Sequence, residues 1–282
     1  MRLGTILIER RPRPVVARAD DTVVLIDTRA TGLAGIRAVA AGGSAALDRL
    51  QAWLDDQPAD AGMPLDSVTL GPAVPDPGAI YTVGENYAAP GEPAVPSARP
   101  LIFGKAATSV AGHGAVLTWD RSLAPTVDAE CELGVVIGEA ATAVAPEDAL
   151  AHVFGYTCIN DISSRDAWLD GDQWLLGKSM PGFCPVGPWV VTRDEIDPDD
   201  LALGCRINDE AIQDGRTAQM RTGISAVIAY LSQHVTLRPG DLIATGTPPR
   251  LDAPPGPDRH LRAGDVATVW IDRIGELTTT IA

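Results

Sequence analysis

Short apolar runs separated by turn-forming residues dominate the hydrophobic pattern of the chain, which predicts a mostly β, α+β fold. The first two runs, at residues 3–8 and 23–26, predict an N-terminal hairpin. Leucines that recur on one face predict a helix from Ser44, its expected N-cap, to Gln57. A second helical pattern spans residues 223–233. The strands predicted further along the chain span residues 80–83, 101–103, 134–137, 154–159, 189–191 and 202–207.

Proline and glycine mark the breaks in this pattern. Residues 58–78 are rich in Pro, Gly and Asp, which predicts a linker with a boundary near residue 75. Residues 88–100 carry four prolines, which predicts an extended loop. We therefore expect a small N-terminal α/β domain at residues 1–75 and a larger, β-rich domain at residues 76–282.

Two acids interrupt the apolar stretch at residues 127–137. Glu130 and Glu132 are two residues apart, so on a strand their side chains share one face. Their Cα atoms would lie roughly 6.6 Å apart, which is close enough for both carboxylates to bind one cation. The opposite face carries Cys131 and Leu133 and suits a core. The alternative is a solvated strand edge that holds no ion.

A third acid stands at the end of another apolar run, residues 153–160. Asp161 follows this run directly, and the residues after it resemble a helix start, so one interpretation of Asp161 is an N-cap. The other is a third ligand beside Glu130 and Glu132. Three oxygen ligands without His or Cys suit Mg²⁺, Mn²⁺ or Ca²⁺ and disfavour zinc.

Composition and charge narrow the classes of partner. The chain has 282 residues, with 37 acids against 22 bases and a net charge of −15. Such a charge argues against nucleic acid as a partner, because phosphates demand a basic surface. The apolar run at residues 3–8 is too short for a signal peptide or a membrane span. Four cysteines without a C-x-x-C spacing fit reduced core thiols, so we expect a soluble cytoplasmic protein without a membrane partner.

A series of short motifs extends from about residue 79 to residue 282. They are Val83-Gly84-Glu85-Asn86-Tyr87, Phe103-Gly104-Lys105, Asp128-Ala129-Glu130-Cys131-Glu132-Leu133, Gly155-Tyr156, Asn160-Asp161-Ile162-Ser163-Ser164-Arg165-Asp166, Gly177-Lys178-Ser179, Pro185-Val186-Gly187-Pro188-Trp189, Leu237-Arg238-Pro239-Gly240-Asp241 and Thr245-Gly246-Thr247-Pro248. Together and in this order, they resemble the fumarylacetoacetate hydrolase family.

This resemblance implies a fold, a metal and a substrate class. The implied fold is a rolled mixed β-sheet, and Glu130, Glu132 and Asp161 align with the family's ligands for Mg²⁺ or a similar divalent ion. Family members mostly form homodimers or higher homo-oligomers. They act on small 2-oxo acids and β-diketo acids by hydrolysis, by decarboxylation or by moving double bonds.

The same resemblance suggests roles for other polar residues. Lys178, which could also be an exposed lysine, would hold negative charge that develops on the substrate. Arg165 lies four residues after Asp161, so it would either form an intrahelical ion pair or bind a substrate carboxylate. Thr247 lies in a Gly-containing turn, and plain turn chemistry is its alternative. The residues expected to contact the substrate are Arg165, Thr247, Gln213 and Tyr87.

One departure from the family affects the reaction. Hydrolytic members carry a His and, three residues later, a Glu after the Asn-Tyr pair, and this dyad activates water. Here Pro90 and Pro93 stand at these positions, and neither side chain can move a proton. Glu92 and Glu85 are the nearby carboxylates that could substitute, and of the two we expect Glu92 to be the replacement catalytic base.

The sequence therefore favours a divalent-metal-dependent enzyme that decarboxylates or isomerises a 2-oxo acid or β-diketo acid. A divalent ion chelated by such a substrate stabilises an enolate, so this chemistry needs no strong base. The first alternative is a C–C bond hydrolase of an acylpyruvate-type substrate that uses a replacement base. The second is a catalytically silent, metal-binding, homo-oligomeric scaffold, against which the presence of Lys178 and Thr247 argues.

Overall fold

The computed structural model describes residues 1–89, 91–97, 99–166, 173–251 and 259–282. Its strands are β1 (Arg2–Ile8), β2 (Arg11–Ala17), β3 (Thr22–Leu25), β4 (Met63–Pro64), β5 (Ile80–Gly84), β6 (Leu101–Lys105), β7 (Val110–Ala111), β8 (Ala115–Leu117), β9 (Val127–Asp128), β10 (Cys131–Ile137), β11 (Val153–Asn160), β12 (Ser163–Ser164), β13 (Cys184–Thr192), β14 (Ala202–Ile207), β15 (Glu210–Arg216), β16 (Leu242–Ala244), β17 (Val266–Ile271) and β18 (Gly275–Ile281). Its α-helices are α1 (Thr28–Thr31), α2 (Ile36–Ala41), α3 (Gly43–Asp55), α4 (Leu175–Lys178) and α5 (Ile224–His234). Within the described ranges, these helices lack the length and apolar character that crossing a bilayer requires.

Two mixed sheets make up most of the described fold. The larger sheet has the strand order β4-β3-β2-β1-β13-β11-β10-β16-β5-β6, and β7 pairs with β13 off this path. The smaller sheet has the order β15-β14-β17-β18-β8, and β12 pairs separately with β9. Most neighbours are antiparallel, but β5 runs parallel to β16 and β8 runs parallel to β18. The predicted mostly β fold with a mixed sheet is confirmed.

The N-terminal strands correct the predicted single hairpin. A further strand, β2, lies between the two predicted ones and pairs with both β1 and β3. Its first three residues, Arg-Pro-Arg, are exposed and lack the alternation that identifies a strand. Pro12 and Pro14 are two residues apart, and the Pro14 carbonyl accepts a hydrogen bond from Ile26 on the side away from β1. The missing N–H groups therefore face away from β1, and the pairing of β2 with β1 is preserved.

Both predicted helices are present, as α3 and α5, with slightly shifted ends. The N-cap position of α3 is occupied by Gly42 instead of Ser44, and no side chain caps this helix. The predicted linker at residues 58–78 is partly packed, because Ala73 and Val74 are completely buried. The Ala73 N–H also donates a hydrogen bond to a carbonyl of β13. Proline and glycine here produce an irregular but well-packed segment.

Strand β1 joins the N-terminal residues to the larger sheet. It pairs antiparallel with β13, with Leu3 opposite Val190. One core cluster contains Leu3 and Val16 together with Val136 and Val190. The two parts thus share a sheet and a core, and the boundary proposed near residue 75 stays a prediction.

Candidate active site

The register between β10 and β11 brings three acids together. Cys131 lies opposite Asn160, so Glu130 and Asp161 face each other one position further along. The Asp161 N–H donates a hydrogen bond of 2.9 Å to the Glu130 carbonyl, which continues the pairing. Glu132 lies two residues from Glu130 and on the same face. One carboxylate oxygen from each acid lies within 4.8 Å of the other two.

The segment after Asp161 is a strand, so the N-cap interpretation of this residue is wrong. Residues Ser163–Ser164 form β12, which pairs with β9. The intrahelical pair between Arg165 and Asp161 is absent for the same reason. Arg165 Nε instead donates to Asp128 Oδ2 at 2.7 Å, and its Nη2 donates to Glu130 Oε1.

The chain has two lysines, and both contact Asp161. Lys178, the last residue of α4, has its Nζ 2.5 Å from Oδ2, and Lys105 of β6 has its Nζ 2.5 Å from Oδ1. Lys178 also donates to Glu130 Oε2 at 3.0 Å and to Ser163 Oγ at 2.9 Å. The exposed side-chain fraction is 3% for Lys178 and 0% for Lys105. The alternative of an exposed lysine at 178 is therefore wrong.

The electrostatics of the cluster favour a bound cation. Burial alone would raise the pKa of Glu130, but the charges of Lys178 and Arg165 lower it to about 2. Burial and the neighbouring charge of Asp161 raise the pKa of Glu132 well above its ordinary value. Burial opposes the charged form of Lys178, but the carboxylates of Asp161 and Glu130 raise its pKa, so it remains an ammonium.

These residues fit a divalent ion. Three nearly buried carboxylates offer oxygen donors only, and a hard cation would offset the repulsion that disfavours an ionised Glu132. Glu132 Oε2 is already oriented by a 2.8 Å hydrogen bond from the Gly246 N–H. Mg²⁺, Mn²⁺ and Ca²⁺ suit this donor set, whereas zinc prefers nitrogen and sulfur ligands.

A cavity of about 630 Å³ lies beside the cluster, with Glu130 in its wall. All the residues predicted to contact a substrate line this cavity: Arg165, Thr247, Gln213 and Tyr87. Further arginines in the lining are Arg99, Arg221 and Arg250. Several guanidinium groups beside one cation site suit an anionic ligand.

Two of the lining residues already have backbone partners. Gln213 Oε1 accepts from the Cys131 N–H at 2.9 Å, and Gln213 Nε2 donates to Thr247 Oγ1 and to the Pro248 carbonyl. The Thr247 hydroxyl donates to the Cys131 carbonyl at 2.8 Å. These bonds hold the turn before Pro248 against β10. The Tyr87 hydroxyl is buried near Cys131, and burial raises its pKa.

Comparison with known proteins decides the family. The model of the fumarylacetoacetate (FAA) hydrolase C-terminal domain matches residues 79–282. The chain belongs to this family. An uncharacterized protein of Staphylococcus aureus (strain USA300) is 40% identical over 213 residues, which cover 75% of this chain and 71% of that protein.

Solved structures of the fumarylacetoacetate hydrolase family cover the whole chain. A 5-carboxymethyl-2-hydroxymuconate delta-isomerase from Mycobacterium smegmatis is 28% identical, with a TM-score of 0.79 over 100% of this chain and 98% of that chain. A maleylpyruvate hydrolase from Sphingobium sp. SYK-6 is 29% identical, with a TM-score of 0.82 over 100% and 99% of the two chains. The latter was solved with manganese(II) and pyruvate. The chain is thus similar to both an isomerase and a hydrolase.

Val95 and Ser97, from the segment that departs from the hydrolytic pattern of the fumarylacetoacetate hydrolase family, line the cavity. Pro90 is outside the described residues, and Pro93 is exposed. Glu92 is not brought to the acid cluster: its side chain is 60% exposed and pairs with Arg221 at 3.3 Å. Among the described residues that line the cavity, Glu92 is absent. Its position therefore does not favour the predicted role as a base.

Sequence reasoning missed several polar residues of this family member's site. Lys105 contacts Asp161, and Asp128 accepts hydrogen bonds from Arg165 and from His260 Nδ1 at 2.7 and 2.6 Å. Asp128 continues the two-residue spacing of the acids, so the period of the strand was a usable signal. His260 lies 132 residues from Asp128, and no local pattern connects them.

Proposed function

We propose that this protein is a divalent-metal-dependent enzyme that decarboxylates or isomerises a 2-oxo acid or β-diketo acid. One observation carries the proposal: three buried carboxylates converge within 4.8 Å, with an ammonium group among them, at the wall of an arginine-lined cavity. Glu130, Glu132 and Asp161 would hold Mg²⁺ or Mn²⁺. When bound there, the ion would polarise the oxo group of the substrate and stabilise negative charge on its oxygen.

The protein's own side chains stabilise the charge that develops in the reaction and orient the substrate. Lys178 keeps a buried positive charge beside Glu130 and Asp161, where it stabilises developing negative charge without taking a proton. Arg165 orients a carboxylate of the substrate, because its guanidinium is held by Asp128 and Glu130. Decarboxylation requires no base to remove a proton, and isomerisation requires a modest proton shuttle that takes a proton from one atom of the substrate and returns it to another, but no base that activates water. Both reactions therefore tolerate proline at positions 90 and 93.

Glu132→Gln tests the ligand set. It replaces one carboxylate oxygen with an amide and preserves size, so we expect loss of Mg²⁺ binding by calorimetry and loss of metal-dependent turnover. Turnover is followed with oxaloacetate and a panel of acylpyruvates through the absorbance of the enol form. Glu139→Gln, at an exposed acid just beyond β10, is the matched control and should leave both properties unchanged. Metal-dependent turnover by Glu132→Gln would contradict the assignment.

A second candidate, hydrolysis of a C–C bond, is favoured by the pair formed by His260 and Asp128. Asp128 of this histidine–carboxylate pair is two residues before Glu130 in the sequence. Such pairs move protons in many enzymes. The reaction products distinguish hydrolysis from decarboxylation and isomerisation. Incorporation of ¹⁸O from water into a new carboxylate identifies the hydrolase, whereas release of CO₂ or an isomeric oxo acid identifies the favoured reactions. Metal binding without turnover of any acid in the panel would favour the scaffold.

A further inference from the structure

Glu85 places a carboxylate in the wall of the cavity beside the acid cluster. The acids among the described residues that line this cavity are Glu85 and Glu130. Glu130 is already paired with Lys178 and Arg165. No described residue forms a hydrogen bond or an ion pair with the Glu85 carboxylate, and the residue is exposed. Glu85 is therefore free to contact a ligand in the cavity.

The other titratable groups of the lining are unsuited to moving protons near neutral pH. Its arginines are Arg99, Arg165, Arg221 and Arg250. Guanidinium groups stay protonated. Burial raises the pKa of Tyr87 well above its ordinary value. Histidine, lysine and cysteine are absent from the lining as far as the structure describes it. Glu85 is thus the group that can accept and release a proton without also serving as a metal ligand.

The turn that carries Glu85 packs against the turn that binds Glu132. The Gly246 N–H donates to Glu132 Oε2 at 2.8 Å. A Cβ at Gly246 would lie 2.7 Å from Asn86 Cβ and 2.9 Å from the Val83 carbonyl oxygen. Glu85 therefore belongs to a segment that touches a direct neighbour of the acid cluster.

The backbone at Glu85 is held in an uncommon conformation. Its φ of 53° is in the left-handed region, which residues with a long side chain seldom adopt. The next residue, Asn86, fixes the turn: its Nδ2 donates to the Thr245 carbonyl at 2.7 Å, and its Oδ1 accepts from the Thr222 N–H at 2.8 Å. Such strained positions cluster at active sites, because the surrounding structure must stabilise them. The conformation of Glu85 therefore supports a functional role for its side chain.

We propose that Glu85 is the catalytic residue that moves the proton when a 2-oxo acid is isomerised in this cavity. The inference rests on the proposed function and selects isomerisation over decarboxylation. The Glu85 carboxylate takes a proton from the carbon next to the oxo group. The electron pair of the broken C–H bond stays on the substrate, which becomes an enolate. Protonated Glu85 then returns the proton to another atom of the same molecule, so no oxidant, reductant or other reactant is consumed.

The test measures hydrogen exchange at the carbon next to the oxo group. Metal-loaded protein is incubated in D₂O with pyruvate or with 2-oxobutanoate, and NMR follows the replacement of hydrogen by deuterium. The wild type should accelerate this exchange, and Glu85→Gln should slow it by about a hundredfold or more, the range of general acid–base catalysis. Calorimetry should give unchanged Kd values for Mn²⁺ and for both acids. Glu85→Asp should retain part of the exchange rate.

Two further variants make the result specific. Glu139→Gln changes an exposed acid outside the lining of this cavity and should keep the full exchange rate. Glu85→Asn should lose exchange without lowering the free energy of unfolding, because asparagine adopts the left-handed conformation more readily than glutamate.

Unchanged exchange in Glu85→Gln, or a loss of exchange in Glu92→Gln instead, would overturn the inference and leave the proposed function intact. A wild type that binds these acids without exchanging their hydrogen would do the same, because decarboxylation needs no such step. If the metal-loaded wild type binds neither acid, the proposed function fails as well.

Discussion

At the scale of single residues, Asp161 is the point where the site's charges meet. Lys105 and Lys178 approach different oxygens of its carboxylate, and both ammonium groups are shielded from water. Removing one member of a buried charged set leaves the others uncompensated, which costs about 3–5 kcal/mol. A divalent ion would supply part of the missing charge. The two lysines and a metal ion are therefore alternative ways to stabilise the same carboxylates.

Lys105→Met tests this dependence. We expect it to lower the free energy of unfolding of the metal-free protein by about 3 kcal/mol, because Asp161 loses one of its two cations. Saturating Mg²⁺ should recover part of the loss. Urea unfolding in EDTA and in Mg²⁺ measures both values. Arg206→Met breaks a largely exposed ion pair and should change the free energy by less than about 1 kcal/mol. Equal losses with and without Mg²⁺ would contradict the prediction.

At the scale of elements, the pairing of β10 with β11 builds the acid cluster, and the pairing of β11 with β13 supports it. All residues of these strands are buried. A shift of one position in this register would turn every side chain to the opposite face and separate the acids. Gly155 of β11 lies opposite Thr192 of β13, where the strands approach closely. A Cβ at position 155 would lie 2.3 Å from the Val191 carbonyl oxygen.

Gly155→Ala should therefore destabilise the protein, because the backbone of β13 must move to admit a methyl group. We expect a loss of about 1–3 kcal/mol in the free energy of unfolding. Gly223→Ala is the control, since a Cβ there meets no heavy atom within 4 Å and the residue precedes α5. Its cost should stay below about 1 kcal/mol. Urea unfolding compares the two, and an equal effect would argue against the close approach of β11 and β13.

The same elements show what the sequence can and cannot predict. Apolar runs identified most strands of the larger sheet and both longer helices, and the two-residue period placed Glu130 and Glu132 on one face. Strand β2 was missed because its pairing depends on neighbours and not on its own polar residues. Lys105 and His260 were missed as site residues because their partners lie 56 and 132 residues away. Such contacts follow from the sheet order, which no local pattern encodes.

At the scale of the whole molecule, the N-terminal strands belong to the same sheet as the strands that carry the acid cluster. Strand β13 lies between β1 and β11, so the N-terminal residues cover an edge that would otherwise be unpaired. Unpaired edges of long buried strands promote association with other chains. The core residues Leu3 and Val16 would also be lost with these strands. We therefore expect the part that carries the acid cluster to depend on the N-terminal strands for its stability.

A chain that begins at residue 76 tests this dependence. We expect it to aggregate, or to unfold without a cooperative transition, because the edge of β13 and the core beside Val190 are uncovered. Circular dichroism during thermal unfolding and light scattering measure these properties, with the full chain as reference. Cooperative unfolding of the shortened chain, together with unchanged affinity for Mg²⁺, would instead support an independent domain from residue 76.

The placement of both lysines has a consequence for chemical labelling. Acylating dyes and reductive methylation need a solvent-accessible primary amine, and the exposed side-chain fractions of Lys105 and Lys178 are 0% and 3%. No lysine on the surface competes for such reagents. The rate at which side-chain amines of the native protein are modified therefore measures how often this one interior site opens transiently.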